Sequence, residues 1–305
     1  MIKPKQTLPL LLLALIWGSY YVASQKAVQG LSVFSVGIVI RFITLILLTI
    51  LMWKKGELKQ LLHTKGVIVR LILIGCLGFL LDLTAFIGLS LSAAGIGTAL
   101  LKCDIIFVNL ISVIIYKERF TKFDWAYTFV MLFGVFLVMD VDFGSLSLGG
   151  RGDIFFILSA LFVSINAFVI KSVQLDKKNP IADNVVAYYN NIVTMILFTI
   201  ATILMGRLGE LKILVQDKST LMAALLAGLG QTLVYIVYYY NLRRFPVWIV
   251  KVFLLLMPIV STLICFVLFK EKLAPMQLLG ITVVLAGAFG ILMEQKKKAA
   301  CPVNG

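Results

Sequence analysis

The sequence predicts an all-α polytopic membrane protein with ten transmembrane helices, arranged as two inverted five-helix repeats. Three observations predict it: long apolar runs separated by short charged connectors, a one-sided distribution of basic residues, and a set of residues that recurs at an interval of 153 positions.

The apolar content sets the class. Of 305 residues, 61% are apolar or aromatic and only 14% are charged, with a mean hydropathy of +1.04. Soluble domains carry about 45–50% apolar residues, and a globule of this length could not hide the excess. A span needs ~20 largely apolar residues at 1.5 Å per residue to cross ~30 Å of hydrocarbon. Ten stretches qualify: Leu8–Val28, Val33–Trp53, Val67–Leu89, Gly95–Tyr116, Phe123–Met139, Ile154–Ile170, Val185–Met205, Leu221–Asn241, Val247–Phe269 and Met276–Met293. Lipid cannot satisfy open backbone groups, so helices are the default, and no series of alternating ten-residue strands suggests a barrel. The first span is too long, and lacks the small-residue cleavage site, to be a cleavable signal.

The charges set the orientation. With a cytoplasmic N-terminus, the inner segments hold seventeen basic residues (Lys3, Lys5, Lys54, Lys55, Lys59, Lys65, Lys117, Arg119, Lys122, Lys171, Lys177, Lys178, Arg243, Arg244, Lys296, Lys297, Lys298) and the outer segments seven (Lys26, Arg151, Arg207, Lys212, Lys218, Lys270, Lys272). The positive-inside bias then puts both termini in the cytoplasm, in a plasma (cell) membrane protein. The net charge of +14 is read the same way. It lies in connectors between spans, not in a basic domain of the kind that binds nucleic acid.

The repeat orders the chain into 1–140 (first five-helix repeat), 141–153 (extracytoplasmic linker), 154–294 (second repeat) and 295–305 (basic cytoplasmic tail). Tyr116-Lys117-Glu118-Arg119-Phe120 closes the fourth span and Phe269-Lys270-Glu271-Lys272-Leu273 the ninth. At the same interval Gly75 meets Gly228, Gly134 meets Gly287 and Phe136 meets Phe289. An odd number of spans per half forces the halves to insert upside down relative to one another, a transporter architecture with the site expected where they meet.

Trp17-Gly18-Ser19 in the first span, Arg41-Phe42 in the second, Glu118 and Glu271, Gly134 and Gly287 sixteen residues after each glutamate, and Pro258 in the ninth span together resemble the EamA-type family of the drug/metabolite transporter superfamily. The resemblance covers roughly residues 8–293. It implies ten helices around a central cavity and export or exchange of small metabolites. One departure stands out: Ile105 lies opposite Pro258, with Lys102 and Asp104 beside it, so the resemblance leaves a kink in the fourth span open.

Charges inside spans are the sharpest functional signal, because each costs several kcal/mol unless paired or hydrated. Arg41, Asp82 and Lys102 lie ~12 Å below the outer surface at a helical rise, with Asp104 slightly deeper. Arg41, Asp82 and Asp104 are read as an ion-pair network or an outer gate, and the two acids as possible sites of proton coupling. Lys251, without an acidic partner in its layer, is the leading substrate contact, against the alternative that it snorkels to the interface. Lys102 joins it from the equivalent face of the fourth span, on a stripe with Thr98 and Asn109. Trp17, Tyr21 and Ser24 share one face of the first span, and Gln231, Tyr235, Tyr238 and Tyr239 one face of the eighth, of which Gln231 and Tyr235 lie deeper. Asn166 and Asn190 complete the substrate-binding candidates. Tyr238 to Tyr240 are assigned to an interfacial aromatic belt. Glu118 and Glu271, at helix ends beside basic residues, are structural.

The function these features point to is a secondary-active transporter that exports or exchanges a small polar metabolite by alternating access, an amino acid or related carboxylate being favoured. The alternative is a carrier of a quaternary amine, drug-like cation or lipid precursor, caged by aromatic rings. A polytopic lipid-modifying enzyme is a distant third: there is one histidine, His63, in a charged loop, and no nucleophile–base set. No enzyme activity, cofactor or metal is expected. The cysteines (Cys76, Cys103, Cys265, Cys301) show no paired spacing. Expected partners are the small-molecule substrate and membrane lipid, with proton or counter-substrate coupling.

Overall fold

The computed structural model describes residues 4–91, 100–118, 120–139, 152–270 and 273–300. Every regular element among them is helical: α1 (Pro4–Gly30), α2 (Val33–Lys55), α3 (Ile68–Leu91), α4 (Asp104–Ile114), α5 (Lys122–Val138), α6 (Asp153–Gln174), α7 (Asp183–Leu204), α8 (Lys218–Arg244), α9 (Val247–Leu254), α10 (Met257–Phe269) and α11 (Pro275–Ala300), with single turns at Leu58–Leu62, Leu208–Lys212 and Ile213–Gln216. By length and composition, seven described segments can cross a membrane: Thr7–Gly30, Val33–Lys55, Ile68–Ala85, Ile154–Gln174, Asp183–Leu204, Lys218–Arg244 and Val247–Leu268; Asp104–Ile114 and Pro275–Ile291 are shorter apolar helices. The predicted span Gly95–Tyr116 lies partly outside the described residues.

Local sequence explains where the helices start and stop. Ser32 caps α2 through its side chain, Thr121 and Asp124 form a reciprocal capping box on α5, and Asp217 accepts from Ser219 and Thr220 at the head of α8. Gly56 ends α2 at φ +69°, where a side chain is disfavoured. The helices also bury an inward face and leave an apolar outward one. Phe42, Ile46 and Ile50, one turn apart on α2, are exposed, as are Ile196 and Ile200 on α7 and Met222, Leu225, Leu226 and Leu229 on α8. Apolar surface on that scale belongs against lipid.

The hydrogen bonds give each helix its direction. Asn241 near the end of α8 donates to the Pro9 carbonyl at the start of α1. Gln174, closing α6, reaches Asp183, opening α7, and the Tyr239 carbonyl of α8. Asn184 of α7 bonds Glu57 just past α2. One end of the bundle therefore gathers the start of α1 and the end of α6, so the two halves run in opposite senses. This end carries the lysine-rich connectors and is called the basic end below.

The repeat is visible in the packing. At Gly75 an added Cβ would lie 2.4 Å from Val193, and at Gly228 2.5 Å from Ile43. Thr194 donates to the Gly75 carbonyl at 3.0 Å and Thr44 to the Gly228 carbonyl at 3.2 Å. The same reciprocity holds for α5 against α11, where Gly134 faces Val284 and Gly287 faces Met131. The glycines let backbones approach, which is how helices associate where lipid removes the hydrophobic incentive.

The main apolar core lies toward the basic end. It collects Leu10 and Leu13 of α1, Leu48 and Met52 of α2, Leu71 and Ile74 of α3, Ile170 and Val173 of α6, Val185 and Val186 of α7, Val234 to Leu242 of α8 and nearly all of α9, together with the α5–α11 contact. Among the described residues, the opposite end has a second, smaller cluster of Ala27, Leu31, Val36, Ile40, Ala223 and Ala227.

Candidate functional site

Two helices break at repeat-related positions. The chain is helical at residues 100–101, opens at Lys102 and Cys103, and resumes as α4 at Asp104. Likewise α9 ends at Leu254, the chain turns at Leu255 and Leu256, and α10 begins at Met257. The bridging hydrogen bonds match, Cys103 N to Leu100 O at 3.0 Å and Leu256 N to Phe253 O at 3.1 Å. They are the tighter i→i−3 kind. Pro258 accounts for the second break, having no N–H to give. The first occurs without a proline, which resolves the question Ile105 leaves open.

The in-span charges gather around these breaks and one helix crossing. Lys251 of α9 donates to Asp104 Oδ2 at 2.8 Å. The lysine side chain is 2% exposed and the aspartate 14%, so Lys251 has an acidic partner that the sequence did not lead us to expect, and the alternative of snorkelling to an interface does not apply. Depth counting along straight helices put the two in different layers. The break and a long lysine stem close the gap. Arg41 of α2 pairs with Asp82 of α3 at 2.7 Å. Its carbonyl accepts from Asn191 of α7 at 2.8 Å, which ties α2 to α7, its counterpart in the second half. Lys102, predicted to share the Arg41–Asp82 layer, points instead to Met257, with Nζ 3.8 Å from Sδ.

An aromatic and amide lining adjoins Lys251. Its ammonium lies 5.9 Å from the Tyr238 ring centroid, and Trp17 meets that ring edge-on at 5.1 Å. Tyr239 packs on Tyr235 and Tyr238 and accepts from Asn190 Nδ2 at 2.7 Å. Tyr238 and Tyr239 are buried, and only Tyr240 is exposed, beneath Arg244. The belt assignment therefore holds for one tyrosine of three. Gln231 and Tyr235 are buried on α8 as the spacing implies, and Asn166 is buried with no partner for its Oδ1 among the described residues. The side chain of Tyr21, and Thr98 and Glu271 altogether, lie outside the described residues. Met257 is the site residue that sequence reasoning missed, while Tyr238 and Tyr239 are placed on the right face of the helix by their spacing but assigned to the belt. A signal existed for Met257, which stands 153 positions after Asp104.

Glu118 sits where α4 ends. Lys117 takes the left-handed conformation at φ 52°, as does Lys270 at φ 55°. The Glu118 N–H returns to the Ser112 carbonyl at 3.0 Å, closing the end of α4 just past the left-handed residue. Burial pushes the Glu118 carboxyl up, against the opposing pull of Ser112, Lys171 and Trp248. Its cationic neighbour is thus Lys171 of α6, not the adjacent lysines of its own loop. Among the described residues, no three His, Cys, Asp or Glu side chains cluster as a metal site would require.

Long apolar helices, opposed halves and buried charge pairs at broken helices define a multi-pass membrane protein of the transporter type. The comparisons with known proteins say which. The model of the EamA-like transporter family matches residues 7–140 and again 150–293, and the chain belongs to that family. A solved structure described only as a crystal structure of a protein is 16% identical, superposes with a TM-score of 0.79, and covers 97% of this chain and 99% of its own. At that identity it shows the shared fold alone. No curated protein matches the sequence.

Proposed function

We propose that the protein is a secondary-active transporter that exports or exchanges a small polar metabolite, an amino acid or related carboxylate, by alternating access across the plasma membrane. The chain crosses ten times, with both termini in the cytoplasm and the basic end facing it. The observation that carries the reading is the Lys251–Asp104 pair, buried at 2.8 Å between the breaks of two repeat-related helices. Charges are kept inside a membrane protein where they line a substrate path, and interrupted helices are where such paths form. Tyr238 and, through its ring, Trp17 adjoin the pair, and Asn190, bonded to Tyr239, with Gln231 and Asn166 are the polar groups we assign to the path of a small polar molecule.

Reconstitution into liposomes with radiolabelled leucine, glutamate, pyruvate and choline tests the proposal. Saturable, counterflow-stimulated uptake of a carboxylate is expected, and absence of protein-dependent flux for all four would overturn it. The ring contacts of Tyr238 with Lys251 and Trp17 support a second reading, a carrier of quaternary amines. Lys251→Gln separates the two: it frees the Asp104 carboxylate to repel an anion, so carboxylate flux falls, whereas choline flux persists if the aromatic rings are the recognition element.

A further inference from the structure

The two broken helices carry different residues at the position that opens each second segment. Asp104 opens α4, and its repeat counterpart, 153 residues on, is Met257 opening α10. Each lysine reaches across to the opposite half. Lys251 of the second half reaches Asp104 at 2.8 Å, and Lys102 at the break of the first reaches Met257 Sδ at 3.8 Å. The arrangement is a pair of crossed lysine contacts, complete on one side only. A thioether is a weak, uncharged acceptor. Among the described residues no carboxylate comes within ion-pair distance of Lys102, and the side chain is only partly buried.

We propose that Met257 is the specificity-determining residue of the transporter. By standing where the repeat would place a second aspartate, it leaves Lys102 to pair with the carboxylate of the substrate, while Asp104 keeps Lys251 occupied. The anion anchor is therefore Lys102, and Asp104 is the protein's internal counterpart of the bound anion. This rests on the transport reading and adds to it the residue that binds the charged group. The physical reason is the cost of an uncompensated ammonium at membrane depth, which a substrate carboxylate removes on binding and an aspartate at 257 would remove permanently. The first half of α10 adds to the attraction, since a helix start favours negative charge.

The test compares Met257→Asp with the isosteric, uncharged Met257→Asn, and both with Lys102→Met. Met257→Asp neutralises the anchor by adding a charge and Lys102→Met by deleting one, so misfolding of either variant leaves the other to decide. Two readouts are taken on each: uptake of leucine, glutamate, pyruvate and choline into liposomes, and the shift in melting temperature that each compound produces in detergent. The expected result is at least about a tenfold loss of apparent carboxylate affinity in Met257→Asp and Lys102→Met relative to Met257→Asn, about 1.4 kcal/mol. Carboxylate affinity in Met257→Asp equal to that in Met257→Asn overturns the inference while leaving the transporter intact. So does flux of choline with none of any carboxylate. Carboxylate-induced melting shifts that vanish in Met257→Asp, without flux in any variant, support the anchor and overturn transport. No shift and no flux overturn both.

Discussion

At the basic end, Arg243 alone binds Asp183 at 2.6 Å, the Gln174 carbonyl at 2.7 Å and the Ile181 carbonyl at 2.8 Å. Lys171 caps the carbonyls of Leu242 and Phe245, Gln60 accepts from the Ala182 N–H, and Arg70 pairs with Asp176. These ties sit over the main apolar core and join α3, α6, α7 and α8. At the opposite end, among the described residues, Glu210 accepts from the Ser32 N–H at 3.3 Å and the Ser35 hydroxyl at 3.0 Å, and Gln277 donates to the Val138 carbonyl at 3.3 Å. Beneath Glu210 lies the small cluster around Ala27, Val36 and Ala223. The repeat makes the helices of the two ends equivalent, so the difference lies in what the ends are stitched with. Under the alternating mechanism proposed above, the two ends exchange these roles, and the end with many polar ties is the one that comes apart.

The largest effect is expected where one side chain holds several ties. Arg243→Gln removes one charged pair and two carbonyl contacts, and leaves Asp183 with the Gln174 amide in place of a cation. Hydrogen bonds to charged groups are worth roughly 1.5–3 kcal/mol, so the closed basic end should lose about 2 kcal/mol. Hydrogen–deuterium exchange checks it: residues 175–185 should exchange more than tenfold faster, with little change in residues 26–40. Next come the mirrored crossings. Gly75→Ala and Gly228→Ala each drive a methyl into a β-branched side chain, Val193 or Ile43, which costs typically 1–3 kcal/mol. Gly75 lies nearer the basic end, where the core is tightest, so its variant should show the larger drop in melting temperature. Equal drops would mean that the two ends are packed alike.

How much of this was legible in the sequence depends on the kind of contact. Segment positions, the repeat interval and the glycines at crossings follow from hydropathy and spacing, because lipid leaves the backbone few alternatives. The Lys117 and Lys270 motif could be paired across the halves, although its left-handed backbone could not be inferred from lysine, a residue with no preference for it. The tertiary partners were not legible. Arg41 and Asp82 could be matched by depth along straight helices. Lys251 and Asp104 could not, because each sits beside a break that straight-helix counting ignores. Tyr238 and Tyr239 were assigned to the interface because position along a helix says nothing about which neighbour covers it, and Trp17 and Asn190 cover them.

The smaller effects test whether the ends respond differently to acid. Hydrogen bonding from Ser32, aided by Ser35 and Arg207, holds the Glu210 carboxyl below the usual glutamate range. A depressed carboxyl contributes its stability fully above the ordinary glutamate value and loses it as pH falls through the folded one. Acidification should therefore release the Ser32–Glu210 link, and Glu210→Gln should imitate it at neutral pH. Asp176 at the basic end, lowered chiefly by Arg70, moves with the same sign, but the ties of Gln174 to the Tyr239 carbonyl, of Gln60 to the Ala182 N–H and of Lys171 to the Leu242 and Phe245 carbonyls involve no carboxylate. Exchange measured from neutral pH down to about pH 4 should show residues 26–40 and 207–220 loosening before residues 175–185, and simultaneous loosening would remove the proposed asymmetry.

The smallest effect is the most discriminating about the repeat itself. Lys117 and Lys270 hold the same left-handed turn, at φ 52° and 55°, one at the basic end and one at the opposite end. That conformation costs an L-residue roughly 1–2 kcal/mol, and glycine adopts it freely at the expense of a more mobile unfolded chain. Lys117→Gly and Lys270→Gly should then each change stability by less than about 1 kcal/mol, in the stabilising direction. If the helix stop is a property of the repeat, the two shifts in melting temperature should agree. If Lys117 instead serves the seal at the basic end through its charge, its variant alone will be destabilised, and the turn at Lys270 will prove to be a backbone device without that second role.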